Sequence, residues 1–269
     1  MSAPAMPTQR IHTRIWLEEA EPGNAFATHA AHCHGYDVFG EMLGQARWVE
    51  MLFLLFRGEA PTPVQRELLE DLALALANPG PRDPSVHAAM CAGTGGSTAA
   101  ASLMAALAVG AGRQGGAREV FHAMQLWHSC GTDPARWGQA LLASDEAVAG
   151  IWPEGDRPAG FDAHASHMAP LARRTLTHLA RLGGPRLAWL DDHRPALEAA
   201  AASPLAMTGV AAAALADLGF TPEQGEMLFL LLRLPGAAAH ALEQRSLGPK
   251  HFPFFELDLL DDPREEAAA

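Results

Sequence analysis

The sequence predicts an all-α protein, and three observations carry that expectation. Strictly alternating apolar and polar runs, the mark of a half-buried strand, are nearly absent. Ala, Leu and Met, all good helix formers, dominate the long segments. Those segments are joined by short connections carrying Gly, Pro or Asp, as helix starts and stops require.

Taken in order, a first helix is expected over 46–57. The next carries the clearest start signal. Thr62 can N-cap it, Pro63 suits the first helical position, and Gln65 completes a Thr-x-x-Gln capping box. Asn78-Pro79-Gly80 closes that run. Further helices are expected near 84–92, 97–110, 116–129, 134–149, 164–182, 186–201 and 207–218. Thr221, Pro222 and Gln224 repeat the capping signal, and Pro235-Gly236 reads as the stop. "EMLFLLFR" (50–57) and "EMLFLLLR" (226–233) differ at one position, but no fixed period accompanies them, so duplication is not inferred. The segment 152–162, rich in Pro, Gly and acids, reads as a hinge or active-site loop, and both chain ends as frayed.

Composition excludes some functions. With 269 residues, 49% hydrophobic and 19% charged, the chain can bury a substantial core. Its formal charge of −12 argues against a nucleic-acid or anionic-membrane surface. A local basic pocket for an anionic substrate is compatible with it. Cys33, Cys91 and Cys130 are odd in number and show no paired spacing, which fits a reducing, cytoplasmic setting. The N-terminus has no apolar signal core, and the longest apolar runs fall far short of the roughly 20 residues that cross a bilayer.

Several motifs bear on chemistry. His29, His32, Cys33 and His34 have a spacing able to bind zinc or nickel, but no second cluster completes a site, and loop histidines are the plain alternative. His122 and His128 fall on different sides of one helix. No Gly-x-Ser-x-Gly elbow occurs, and Cys91 and Cys130 lie in helical patterns where cysteine usually packs. "GTGGST" (93–98) lacks the Lys of a phosphate loop, so it reads as a helix-start turn capped by Ser97 or a neighbour. His164 and His167, with Arg173 and Arg174 downstream, can hold a carboxylate or polarise a carbonyl; a solvated helix start is the plain reading. Gly110, Gly112 and the pair Gly115-Gly116, preceded by Gln114, mark a turn where backbone must approach something closely.

Read together, these segments resemble the citrate synthase superfamily, in particular its short citryl-CoA lyase-like branch. The stretch from His34 to Leu76 is similar to the family's N-terminal signature. "GAGRQGGA" (110–117) resembles its "GPLHGGA" turn, and "PAGFDAHASH" (158–167) its "PGFGHRVH" loop. Residues 205–244 resemble the segment that carries its "NVD" motif and the Arg before Pro-Gly. The resemblance spans nearly the whole chain.

It implies a citrate synthase-like fold, with a large helical domain (1–129 and 205–269) and a small helical domain (130–204). It implies a homodimer using apolar faces such as 97–110 and 210–232, a coenzyme A thioester as substrate, a carboxylate partner, and no permanently bound cofactor. Carried over position by position, the roles fall unevenly. Arg233 matches the carboxylate-binding arginine, with Arg173 beside the position of another, which is Ala172. His164 matches the carbonyl-polarising histidine if one residue is inserted. Gln114 stands where the turn's histidine is expected; its amide can donate to an oxyanion but cannot shuttle a proton. Gly115 and Gly116 bring bare backbone to the substrate. The catalytic aspartate position falls at Thr208 or Gly209, and a further acceptor-binding histidine at Pro79. Asp162 or Asp156 can supply the missing carboxylate, while Asp217, nine residues from Thr208, falls on the opposite face of the helix. The expectation is an acyl-CoA-dependent carbon–carbon lyase or synthase of altered specificity, with His164, Gln114 and Asp162 catalytic. The alternative is a non-catalytic homologue, a CoA- or carboxylate-binding or regulatory subunit.

Overall fold

The computed structural model describes residues 11–143, 158–252 and 255–256. Ten α-helices dominate the described residues: α1 (Trp48–Arg57), α2 (Pro63–Leu76), α3 (Pro84–Thr94), α4 (Ala99–Gly110), α5 (Ala117–Cys130), α6 (Pro134–Ala143), α7 (Pro170–Ala180), α8 (Pro185–Ala200), α9 (Met207–Asp217) and α10 (Pro222–Leu247). The all-α expectation is met.

The chain divides into two compact units, Met1–Ala77 with Ala111–Leu232, and Asn78–Gly110 with Arg233–Ala269. These bounds do not coincide with the expected 130–204 insertion. Trp137, Leu141, Phe161, Leu176 and Leu187 share one buried cluster with Leu69, Trp127, Leu215 and Leu228.

In the first unit that cluster is organised around α9. Val210 to Leu215 are all fully buried, so α9 is apolar all round and lies inside. A run of four alanines, Ala211–Ala214, lets neighbouring helices come close. Trp127, Trp137 and Trp189 pack edge-on or tilted, 4.8–6.1 Å between ring centroids. Asp217 at the end of α9 accepts from the Arg186 and Leu187 amides (2.9 Å each) and so caps the start of α8. The capping boxes form as the sequence requires, Thr62 with Gln65 and Thr221 with Gln224. Gln224 also donates to the Phe56 carbonyl (2.6 Å), and Arg57 to that of Gly219 (2.5 Å), tying the end of α1 to the α9–α10 turn. In the second unit, Val86, Ala89, Ala106, Ala237 and Ala241 form a small core, and Gly93 lies directly against the Ala241 backbone. Thr98 caps α4, accepting from the Ala101 amide (3.3 Å).

Three elements differ from expectation. An antiparallel sheet precedes the helices: β1 (Trp16–Glu21), β2 (Asn24–Cys33) and β3 (Tyr36–Asp37), in the order β1-β2-β3. Most of β1 and the first half of β2 are exposed on both faces, so no alternation marks them. The His29–Cys33 stretch therefore lies on a strand and not in a loop. Helix α7 begins at Pro170 and not at 164, because proline at the first helical position sets its start. Helix α10 does not stop at Pro235-Gly236 but continues to Leu247, since Ala237 and Ala241 are buried beyond it. The expected helix over 134–149 appears as α6 to Ala143; residues 144–149, most of the 152–162 segment and the chain ends lie outside the described residues.

The position of α9 predicts a large penalty for thinning it. Leu215→Ala is expected to lower unfolding free energy by ~2–5 kcal/mol, and Leu74→Ala, on an exposed face, by less than about 0.5 kcal/mol. Urea unfolding of the two variants checks this; equal losses contradict it.

Candidate functional site

The site is built around a residue that the sequence did not single out, Glu119. The bend at 111–116 ends with Gly115 in the left-handed region (φ +70°), and Gly116 opens α5 without a side chain to cap it. Glu119 is the third residue of α5 and reaches back. Its Oε2 accepts from the Gly115 amide at 2.5 Å, one residue ahead of the N-cap Gly116. Its Oε1 turns the other way and accepts two more donors, the Gly160 amide at 3.0 Å and the Thr208 hydroxyl at 2.7 Å. Glu119 and Thr208 are both buried. One carboxylate thus joins the turn before α5, the loop at 158–164 and the first turn of α9.

That junction depends on small residues. Gly160 has φ +92°, a conformation that residues with side chains rarely adopt. A Cβ on Gly160 would press on the Gly209 Cα, and one on Gly209 would collide with the Gly160 carbonyl. The loop is then laced to the entry of α9: Ala206 donates to the Gly160 carbonyl (2.9 Å), Asp162 donates to that of Pro204 (2.8 Å), and Phe161 bridges Leu205.

Burial is the dominant influence on the Glu119 carboxyl and pushes it above the ordinary glutamate value. The Thr208, Gly115 and Gly160 donors favour the charged form and oppose this, while the nearby Asp162 charge adds to the rise.

The expected site residues fall around this node to different degrees. Gln114 is exposed and immediately precedes Gly115. Asp162 and His164 are exposed on the loop that Gly160 anchors, and Asp162 accepts from the His164 amide at 2.9 Å. Thr208 is present, but its hydroxyl is engaged by Glu119. Gly115 supplies an amide, and Gly116 is buried at the helix start. Arg173 stands on the exposed face of α7, whose buried face is Ala172, Leu176 and Leu179. Arg233 belongs to the second unit, where it is buried and paired with Asp83. Asp83 also accepts from the Ser85 amide (2.9 Å) at the start of α3. Asp156 lies outside the described residues.

Elsewhere, His29 and His32 both approach the Glu19 carboxylate (3.8 and 3.9 Å), and Cys33 is buried. Among the described residues no group of three or more His, Cys, Asp or Glu side chains is placed to hold a metal ion. None of the described helices is long and apolar enough to cross a membrane.

The helical architecture is that of citrate synthase-like proteins, the class to which solved citryl-CoA and ATP citrate lyases point. Citryl-CoA lyase from Hydrogenobacter thermophilus superposes with a TM-score of 0.70 at 17% identity, over 96% of this chain and 100% of that one. ATP citrate lyase from Methanothrix soehngenii, in complex with citrate and coenzyme A, gives 0.67 at 17% identity over 95% of this chain. A mutant ATP citrate lyase from Methanosaeta concilii, in complex with (3S)-citryl-CoA, gives 0.66 at 16% identity over 98%. The chain spans less than half the length of these two ATP citrate lyases (43% and 44%). No protein-family model matches the sequence, and no curated protein matches it significantly. The likeness is one of fold.

Two outcomes follow from the Glu119 node. Gly209→Ala is expected to cost about 1–3 kcal/mol of stability through overpacking against Gly160, measured by thermal or urea unfolding. A neutral effect contradicts the close approach. The second concerns pH. A carboxyl raised by folding contributes stability that is complete below its ordinary value of 4.5 and is lost as pH rises through the raised value. The native protein should therefore lose stability, relative to a non-titrating Glu119→Gln variant, from about pH 4.5 upward. A pH-independent difference would exclude the raised carboxyl.

Proposed function

We propose that this chain is a carbon–carbon lyase acting on citryl-CoA-like thioesters, which it cleaves to an acyl-CoA and a 2-oxo acid. The observation that carries the reading is the Glu119 junction. It draws together the three segments that resemble the citrate synthase turn, loop and helix start, and the exposed polar groups Gln114, Asp162 and His164 adjoin two of them. The fold supports it, since the chain superposes over nearly its whole length on a citryl-CoA lyase and on ATP citrate lyases seen with citrate, coenzyme A or citryl-CoA.

The chemistry assigns a role to each group. Cleavage removes the proton of the substrate's tertiary hydroxyl, breaks the adjacent carbon–carbon bond and leaves the electron pair on the thioester as an enolate, which is then protonated. Asp162 is the carboxylate assigned to the hydroxyl proton. His164 hydrogen-bonds the same oxygen as it becomes the carbonyl of the 2-oxo acid. Gln114 donates its amide N–H to the thioester oxygen, a neutral donor for developing negative charge. Coenzyme A enters and leaves as part of the substrate. We assign the protein to the cytoplasm as a homodimer. Within the expected face 97–110, Met104 and Val109 are exposed, and within the expected face 210–232, Met227 and Leu231 are exposed while 210–218 is largely taken up by the chain's own core.

Purified protein incubated with citryl-CoA, and separately with acetyl- or propionyl-CoA plus 2-oxo acids, is followed by mass spectrometry. Product formation that falls at least ~10²-fold in His164→Ala is the expected outcome. A folded protein that binds coenzyme A but turns over nothing would replace this reading with the non-catalytic one, a CoA- or carboxylate-binding subunit.

A further inference from the structure

We infer that Glu119 is the positioning residue of this site, a carboxylate whose two oxygens hold the Gln114–Gly116 turn and the Gly160–His164 loop in one fixed relation. The inference rests on the lyase reading for its catalytic consequence, but its geometry stands without it.

The hydrogen-bond inventory requires a carboxylate here. Glu119 faces three donors, the amides of Gly115 and Gly160 and the Thr208 hydroxyl, split between its two oxygens. Only an ionised Asp or Glu offers two acceptor atoms and no donor; an amide turns one of them into an N–H pair, and a hydroxyl has a single oxygen. In Glu119→Gln, the new N–H pair must oppose either the Gly115 amide or the Gly160 amide with Thr208. Whichever way the amide is flipped, one segment loses its anchor. A shorter aspartate keeps both oxygens but sits one methylene back, too far to hold both segments at their present distances.

The reach of this hold is short. Gln114 is one residue from Gly115, and Asp162 and His164 are two and four residues from Gly160. Thr208 stands one helical position from Gly209, on which Gly160 packs. The three anchored segments are otherwise far apart in the chain, 41 and 89 residues from Glu119 for Gly160 and Thr208. Glu119 makes hydrogen bonds to both the 115 turn and the 160 loop. The groups that would contact substrate are exposed, and the buried Glu119 behind them is one of the contacts that set where their segments lie. A misplacement of reacting groups by about 1 Å can cost roughly 10²-fold in rate.

Hydrogen exchange followed by NMR, together with steady-state kinetics on citryl-CoA, tests this on the full chain. In the native protein the Gly115 and Gly160 amides are expected to exchange at least ~10²-fold more slowly than their unprotected rates. In Glu119→Gln one of the two should lose at least ~10-fold of that protection, with kcat down ~10²-fold and KM changed less than about threefold. Glu119→Asp should recover part of kcat. Unprotected amides in the native protein overturn the inference without any variant having to fold. So does a Glu119→Gln protein in which both amides stay protected, or one whose kcat is undiminished. Absence of turnover in the native protein would remove the lyase reading, and the exchange measurements would still decide whether Glu119 holds both segments.

Discussion

Placing one carboxylate inside the first unit constrains much of what surrounds it. A buried charge is tolerated only where donors converge on it. The donors here are two backbone amides and a threonine hydroxyl from three distant segments. The bend before α5, the positive φ of Gly160 and the bare backbone of Gly209 are all conditions for that convergence. Desolvation still outweighs the donors, so ionising Glu119 works against the folded state even as it orders the loops. Sites often carry strain of this kind, held in place by the rest of the fold. The surrounding support is the alanine-rich α9, buried on every side, against which α5, α7 and α8 pack.

Local chemistry made much of this legible from sequence. The two threonine–glutamine boxes start α2 and α10 as their spacing requires, and Thr98 caps α4 after the glycine-rich stretch. The signals that failed were overridden or silent. Pro235-Gly236 has the form of a stop, yet burial of Ala237 and Ala241 carries α10 through it. Pro170 is the start signal of α7, and the polar stretch with His164 and His167 before it is not helical. The strands gave no alternation because both faces of the ribbon meet water. Glu119 is the residue least legible in the sequence. Its acidic side chain in the first turn after a Gly-Gly pair was a local hint of capping, but two of its three partners are visible only in three dimensions.

Each unit carries a buried charged group. In the first, a buried carboxylate collects neutral donors; in the second, buried Arg233 meets Asp83, which also accepts from the Ser85 amide at the head of α3. A charge matched only by backbone and hydroxyl groups depends on segments that can move. Of the two, the Glu119 arrangement is the one whose integrity reports on loop position.

The ribbon formed by β1 and β2 carries a different consequence. β1 is a terminal strand of its sheet, and a terminal strand offers unpaired backbone groups to any extended chain nearby. Leu17 and Phe26 add exposed apolar surface to the ribbon. The sequence of β1, WLEEAE, sets three glutamates along it. Two such edges approaching one another bring like charges together, a repulsion that opposes edge-to-edge pairing in dilute salt. With a screening length of about 10 Å at 0.1 M salt and ~3 Å at 1 M, that repulsion shortens to near contact distance as ionic strength rises. Added salt therefore weakens the charge that guards this edge.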